Sequence, residues 1–302
     1  MQATIDIGTN SVLLLIGEAG PDGVVRPVVD EARVTRLGQG LANSGLISDK
    51  AAERTIAAIE DYLGLCDKHN VRGIAAVGTA TLRRAANAKD FLLVAERMLG
   101  LRVEVISAER EAELTYIASA HDFGEGIVVI DIGGGSTEII SSPSGSRRLV
   151  SIPIGSVSLT EGFLHTDPPS AEEIDSLRRH VRETLAEMAD PAAFARAHEA
   201  KLIATAGTAT TLAAIHLGLE PYRPEEAHGK ILAVTELRAI IDELKSKTVE
   251  QRKQIKGLIP ERADVILAGA ELLHEAMGQL GYTEVTVSDR GVKWGLFYEE
   301  FC

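Results

Sequence analysis

Residues 126–140 read GIVVIDIGGGSTEII. The β-branched run Ile127, Val128, Val129 and Ile130 has the character of a buried strand. It meets an acid, Asp131, then Gly133, Gly134 and Gly135, then Ser136, Thr137 and Glu138, and resumes as apolar Ile139 and Ile140. Consecutive glycines pack nothing and weaken a strand, so the pattern is strand, tight turn, strand. In such a turn backbone N–H groups can converge on one concavity and hold the oxygens of an anion. Glycine omits the Cβ that would keep the anion away, and a serine or threonine hydroxyl adds a donor. Asp131, at the head of the turn, aims a carboxylate at the same space. An acid beside an anion cradle makes chemical sense with Mg²⁺ between them, because magnesium is usually held by one or two carboxylates together with phosphate oxygens.

The arrangement recurs. Asp6-Ile7-Gly8-Thr9-Asn10-Ser11 and Asp131-Ile132-Gly133-Gly134-Gly135-Ser136 share the pattern D-I-G-x-x-S, 125 residues apart. Each lies between two short apolar strands, and the offset is about the size of one domain. This repeat predicts a duplicated fold facing a shared cleft, with both turns holding one phosphate chain. A P-loop is excluded because no lysine follows Gly135. A dinucleotide fingerprint would open a helix, whereas STEIIS reads as a strand.

Around these turns the chain reads as α/β. Strands QATIDIG, SVLLLIGEA and GVVRPVVDEARVTRL come first; helices at 49–69, 88–98 and 108–121 then alternate with strands at 73–78 and 102–106. The second half restarts with strands GIVVIDIG, STEIISSPSG and SRRLVSIPIG, with Ser142-Pro143-Ser144-Gly145 as a turn. Helices at 156–164, 171–189, from Thr208, at 235–245 and at 262–280 follow, with strands KLIATAG and EVTVS and a final helix in VKWGLFYEEF. The expectation is two duplicated domains, residues 1–122 and 123–302, each a mixed β-sheet flanked by helices, the last helix packing back on the first domain.

Composition narrows the function. Aromatics make up 4% of the 302 residues, which argues against a base-stacking surface. A net charge of -13 opposes general binding to nucleic acid or anionic membranes, yet leaves room for a small polyanion held by local donors and a metal. Cys66 and Cys302 have no CxxC spacing, and the eight histidines show no paired ligand spacing; His274 and Glu275 read as part of an amphipathic helix. No apolar stretch approaches the ~20 residues that span a bilayer. MQATIDIG lacks a basic n-region, so a cytoplasmic location is expected.

Longer strings extend the pattern: DIGTNSVLLLI (6–16), RLGQGL (36–41), TATLRRAAN (79–87), SAEREAELTYIA (107–118), DIGGGSTEII (131–140), IPIGSVSLTEGFL (152–164), ATAGTATTLAA (204–214), RADVILAG (262–269) and VSDRGVKWGL (287–296). The paired turns resemble the phosphate-binding hairpins of the actin-like superfamily, which includes sugar and acetate kinases and heat-shock chaperones. The strings in this order resemble the exopolyphosphatase/guanosine pentaphosphate phosphatase (Ppx/GppA) family across essentially the whole chain, in its short form without a helical HD-type extension. The resemblance implies actin-like (ribonuclease H-like) domains. It implies phosphate binding by Gly8, Thr9, Asn10, Ser11, Arg83, Gly133, Gly134, Gly135, Ser136 and Thr137. It places Asp6, Asp131 and Glu138 on the metal side, with Mg²⁺ or another divalent cation such as Mn²⁺, and makes Glu111 catalytic. Thr79 and Asn87 belong to the same motif as Arg83.

From the residues alone the catalytic acid stays open. SAEREAE is a helix start, where the dipole favours acids, and Glu109, Glu111 and Glu113 are not told apart. Hydrolysis of a terminal phosphoanhydride needs an oriented water, a proton acceptor and stabilisation of charge on the equatorial oxygens. By resemblance Glu111 is that acceptor, its pKa raised by neighbouring Asp6, Asp131 and Glu138. The turn N–H groups, Arg83 and the metal then stabilise charge. Arg36 is a further candidate for reaching phosphate. Lys293 stands where relatives commonly carry arginine and lacks the bidentate fork. Gly207-Thr208-Ala209-Thr210 reads either as an anion site or as a simple turn and cap.

The implied activity is release of terminal orthophosphate from polyphosphate, or of the 5′-γ-phosphate from guanosine pentaphosphate. An ATP-dependent small-molecule kinase and a nucleotide-switched actin-like binding module remain alternatives. The expected partners are polyphosphate or guanosine pentaphosphate and a second copy in a homodimer, with no nucleic acid and no membrane.

Overall fold

Strand β1 (Gln2–Ile7) is buried along nearly its whole length, the mark of a central strand covered on both faces. Its alternation sorts residues by face. Ala3, Ile5 and Ile7 join Ile59, Tyr62 and Phe91 in one core, from the helices Asp49–Lys68 and Ala88–Leu99. Thr4 points the other way and donates its hydroxyl to the Lys293 carbonyl (2.8 Å), so Asp6, two residues on, shares that face. The Asp49–Lys68 helix begins where Ser48 accepts a hydrogen bond from the Ala51 N–H.

The computed structural model describes residues 1–20, 23–142, 148–188 and 200–302. Most of the Ser142–Gly145 turn and the last residue of the 171–189 helix lie outside these residues. The chain divides into two compact units, Met1–Ala118 with Val292–Cys302, and Ser119–Gly291.

In the first unit, β1, β2 (Ser11–Ala19), β3 (Val25–Val34), β4 (Ile74–Gly78) and β5 (Glu104–Val105) form a sheet of order β3-β2-β1-β4-β5. The β1–β2 and β2–β3 pairs are antiparallel; β1–β4 and β4–β5 are parallel. In the second, β6 (Val128–Ile132), β7 (Thr137–Ser141), β8 (Arg148–Ile152), β9 (Leu202–Thr205), β10 (Ile231–Ala233) and β11 (Glu284–Val287) take the order β10-β11-β9-β6-β7-β8. Read as β8-β7-β6-β9-β11, it repeats the first sheet strand for strand, with the β6–β7 and β7–β8 pairs antiparallel and β6–β9 and β9–β11 parallel. Both units are therefore mixed sheets flanked by helices, as the repeat predicts. Strand β10 is an addition the sequence did not announce: it has three residues, and Ile231 is half exposed. Among the described residues no helix is long and apolar enough to cross a membrane.

The helices Ala171–Met188 and Ile266–Leu280 are locked by two arginine–carboxylate pairs. Fully buried Glu271 accepts from Arg178 Nε (2.9 Å) and Nη2 (2.8 Å), and Glu275 from Arg182 Nε (2.6 Å) and Nη2 (3.0 Å). Glu271, His274 and Glu275 have metal-ligand spacing, but both carboxylates are already held by guanidinium groups. Removing one partner of a buried pair leaves an uncompensated charge, at about 3–5 kcal/mol. Arg178→Ala should lower the unfolding free energy of the second unit by about that amount, measured by urea denaturation.

Candidate functional site

Both D-I-G-x-x-S turns close in the same way. Gly8 N–H donates to the Ser11 carbonyl (2.9 Å), and Gly133 N–H to the Ser136 carbonyl (3.0 Å). The segment after the third strand of each sheet then takes up the turn carbonyls. In the first unit Gly38 N–H donates to Thr9 O (2.9 Å), and Thr35 and Arg36 N–H donate to Asn10 O (3.0 and 2.9 Å). In the second, Ser156 N–H donates to Gly133 O (3.0 Å), and Val157 and Ser158 N–H donate to Gly134 O (2.9 and 3.1 Å). These last donors open the helix Ser156–Phe163. A trans peptide sets its N–H opposite its carbonyl. Carbonyls drawn to one side therefore turn the N–H groups of Asn10, Gly134 and Gly135 to the other, where an anion would be held. The close approach demands glycine at Gly155, where a Cβ would lie 2.6 Å from the Gly133 oxygen and the Gly134 carbonyl carbon.

Two side chains of the first turn have distinct surroundings. The Thr9 hydroxyl accepts from Thr81 Oγ1 (3.0 Å). The Asn10 amide is buried, and neither its Nδ2 nor its Oδ1 has a hydrogen-bond partner among the described residues. An unsatisfied buried amide costs about 1–3 kcal/mol, a cost that a ligand oxygen would relieve. In the second turn Thr137 is fully buried, and its hydroxyl donates to the Ile154 carbonyl (2.8 Å).

The acids differ between the units. Asp6 is buried and sits in its sheet beside Leu13 and Val77. Asp131 faces Glu138 across β6–β7, Glu138 faces Ser151 across β7–β8, and Thr205 faces Asp131 across β6–β9. Asp131 and Glu138 are buried. Carboxylates directly opposite on antiparallel strands lie with Cβ atoms about 4.5–5.5 Å apart and repel. Two hard oxygen donors in that relation suit a divalent cation.

In the first unit Arg83 Nη1 donates to the Ile106 carbonyl (3.1 Å) and pairs with Glu111 Oε2 (2.6 Å). Glu111 is 12% exposed at its side chain. Burial pushes its pKa up while the Arg83 guanidinium pulls it down, and burial wins. The neighbouring acids differ. Glu109 is fully exposed, its pKa lowered by helix-start N–H bonding and the Ser107 hydroxyl, and Glu113 is half exposed and pairs with Arg110 (3.4 Å).

Other singled-out residues have structural partners. Asn87 clamps Ile47 through its amide, accepting from the N–H (2.8 Å) and donating to the carbonyl (2.9 Å). Buried Lys293 pairs with Asp30, which also accepts from Trp294 Nε1 (3.0 Å). Arg36 has a left-handed backbone, φ 54°. The 206–217 helix, expected to begin near Thr208, starts at Ala206, also left-handed at φ 65°. Against its first turn lies Arg262, which the sequence reading passed over: a Cβ on Gly207 would come 1.8 Å from Arg262 Nη1. Burial pushes the Arg262 pKa down.

Because the folded state raises the Glu111 pKa, it binds that proton more tightly than the unfolded chain. The resulting stability is present below the ordinary value of 4.5 and lost as pH rises through the folded value. Glu111→Gln removes that loss, so its melting temperature should gain on the native protein's as pH rises from about 4 to 8. Thermal unfolding across that range checks the sign.

A sequence model described as the Ppx/GppA phosphatase family matches residues 18–301. Exopolyphosphatase 2 of Mycobacterium tuberculosis is 34% identical over 311 residues, covering 97% of this chain and 96% of that protein. A solved Aquifex aeolicus member of the Ppx/GppA family is 34% identical with a TM-score of 0.80, over 99% of this chain and 96% of that one. An exopolyphosphatase structure from Cytophaga hutchinsonii is 25% identical with a TM-score of 0.89, over 99% and 97%. These matches run nearly end to end and agree with the duplicated mixed sheets: the chain belongs to the Ppx/GppA phosphatase family.

Proposed function

We propose that the protein releases terminal orthophosphate from inorganic polyphosphate. The observation that carries this reading is the pair of turns with one peptide orientation, each headed by a buried aspartate, in a chain that also holds buried Glu111 against Arg83. The names of its exopolyphosphatase relatives support polyphosphate as substrate. The 5′-γ-phosphate of guanosine pentaphosphate is chemically a second such terminus.

Turn N–H groups, the Asn10 amide and the Arg83 guanidinium group hold phosphate oxygens. Glu111 accepts a proton from water as its oxygen bonds to the terminal phosphorus. The bond from that phosphorus to the bridging oxygen breaks, leaving orthophosphate and a chain one unit shorter. Asp6, Asp131 and Glu138 are the proposed carboxylates for Mg²⁺ or Mn²⁺, which supplies charge neutralisation at the phosphate oxygens when bound.

Glu111→Gln should cut phosphate release by at least about a hundredfold while leaving polyphosphate binding in place. Retained turnover would overturn the assignment. Arg83→Ala should raise KM by roughly tenfold to a hundredfold, the equivalent of losing about 1.5–3 kcal/mol of charged hydrogen bonding. It should also move the acid limb of the rate profile to higher pH, because burial then raises the Glu111 pKa unopposed. Phosphate release across chain lengths, and from guanosine pentaphosphate, reads out substrate preference.

A further inference from the structure

The row of residues crossing the second sheet at Asp131 is polar along its length: Ser151 on β8, Glu138 on β7, Asp131 on β6 and Thr205 on β9. The equivalent row of the first sheet runs Ala32, Leu13, Asp6 and Val77. Leu13 thus stands where Glu138 does, and Ala32 where Ser151 does. The duplication supplies an internal control, in which the hydroxyl occurs beside the second carboxylate and is missing where that carboxylate is missing.

The contact is direct. Ser151 Oγ donates to Glu138 Oε1 at 2.8 Å. A hydroxyl has one proton to give, and here it goes to one named oxygen. Glu138 reaches its carboxylate through three rotatable bonds and faces the like charge of Asp131. Repulsion between these acids favours rotamers that lean Glu138 toward β8, where the Ser151 hydrogen bond fixes one of them. Strand β8 is at the edge of the sheet and Ser151 is half-buried, so its side chain can be changed with little core repacking.

We propose that Ser151 is a positioning residue that fixes the Glu138 carboxylate in one rotamer, so that with Asp131 it forms a receptor for a divalent cation. The inference rests on the reading of Glu138 as a metal-side carboxylate. Groups that orient metal ligands typically change metal affinity 10–100-fold when removed.

The test is Mn²⁺ alone, titrated into the full chain and followed by the electron paramagnetic resonance signal of the free ion. It compares the native protein with Ser151→Ala, Ser151→Thr and Glu138→Gln. Ser151→Ala should weaken Mn²⁺ binding by roughly tenfold, and Ser151→Thr, which keeps the hydroxyl, should recover most of it. The Mn²⁺ concentration for half-maximal phosphate release should rise in Ser151→Ala by more than kcat falls. Native-like Mn²⁺ affinity in Ser151→Ala, with weak binding in Glu138→Gln, overturns the role of Ser151. Equal weakening in Ser151→Ala and Ser151→Thr also overturns it, since the hydroxyl is then not the cause. Native-like affinity in Glu138→Gln instead overturns the underlying reading of Glu138.

Discussion

The site depends on one exchange of hydrogen bonds behind each glycine turn. A helix begins with N–H groups that have no partner in the helix, and a tight turn carries carbonyls that its own strands do not satisfy. At Gly133 and Gly134 each need meets the other, because the first N–H groups of the 156–163 helix donate to the turn carbonyls. The helix start is capped by backbone instead of by a side chain, and the peptides of the turn are locked with their N–H groups facing away. Gly155 follows from this contact, since a side chain there would strike the turn. In the first unit Thr35, Arg36 and Gly38 do the same without a helix, which is consistent with the left-handed backbone at Arg36. Anion affinity in such a turn comes from peptide orientation fixed before any ligand arrives.

Duplication then allowed the halves to diverge. The sheets share strand order and direction, so their residues compare position by position. One aspartate ends each central strand. The second sheet adds Glu138 and Ser151, and the first adds Arg83 and Glu111 from outside the sheet. On the proposed reading, Asp131 and Glu138 of the second unit are metal carboxylates, and the first unit supplies Asp6 and the proton acceptor Glu111.

Much of the fold was legible because the signals were local. The two hairpins follow from apolar runs broken by glycine, and the four-residue turn at 133–136 fixes the register that sets Asp131 against Glu138. Strand β10 was not legible, being too short to show a period. The 206–217 helix was legible to within two residues, although its first residue, Ala206, adopts a conformation that favours glycine. The capture of the turn carbonyls joins residues more than twenty positions apart and left no local signal beyond Gly155. Ser151 was hidden for a related reason: a turn signal at Ser142-Pro143-Ser144-Gly145 does not by itself set the register of the strands it joins, so the place of Ser151 opposite Glu138 came only from pairing. Among Glu109, Glu111 and Glu113, helical position alone could not separate an exposed acid from a buried one.

The Arg83–Glu111 pair shows how binding and chemistry can be coupled through one contact. Arg83 is the charged group that faces Glu111 from another element; on the same helix Glu109 is exposed, and Arg110 pairs with Glu113 and Glu299. A guanidinium bound to the carboxylate keeps it ionised, while burial favours the protonated form. On the proposed reading a phosphate chain would compete for the same guanidinium. An Arg83 turned toward phosphate would oppose burial less, and the affinity of Glu111 for a proton would rise. On the proposed reading the acid would then be a stronger base with the substrate bound than without it.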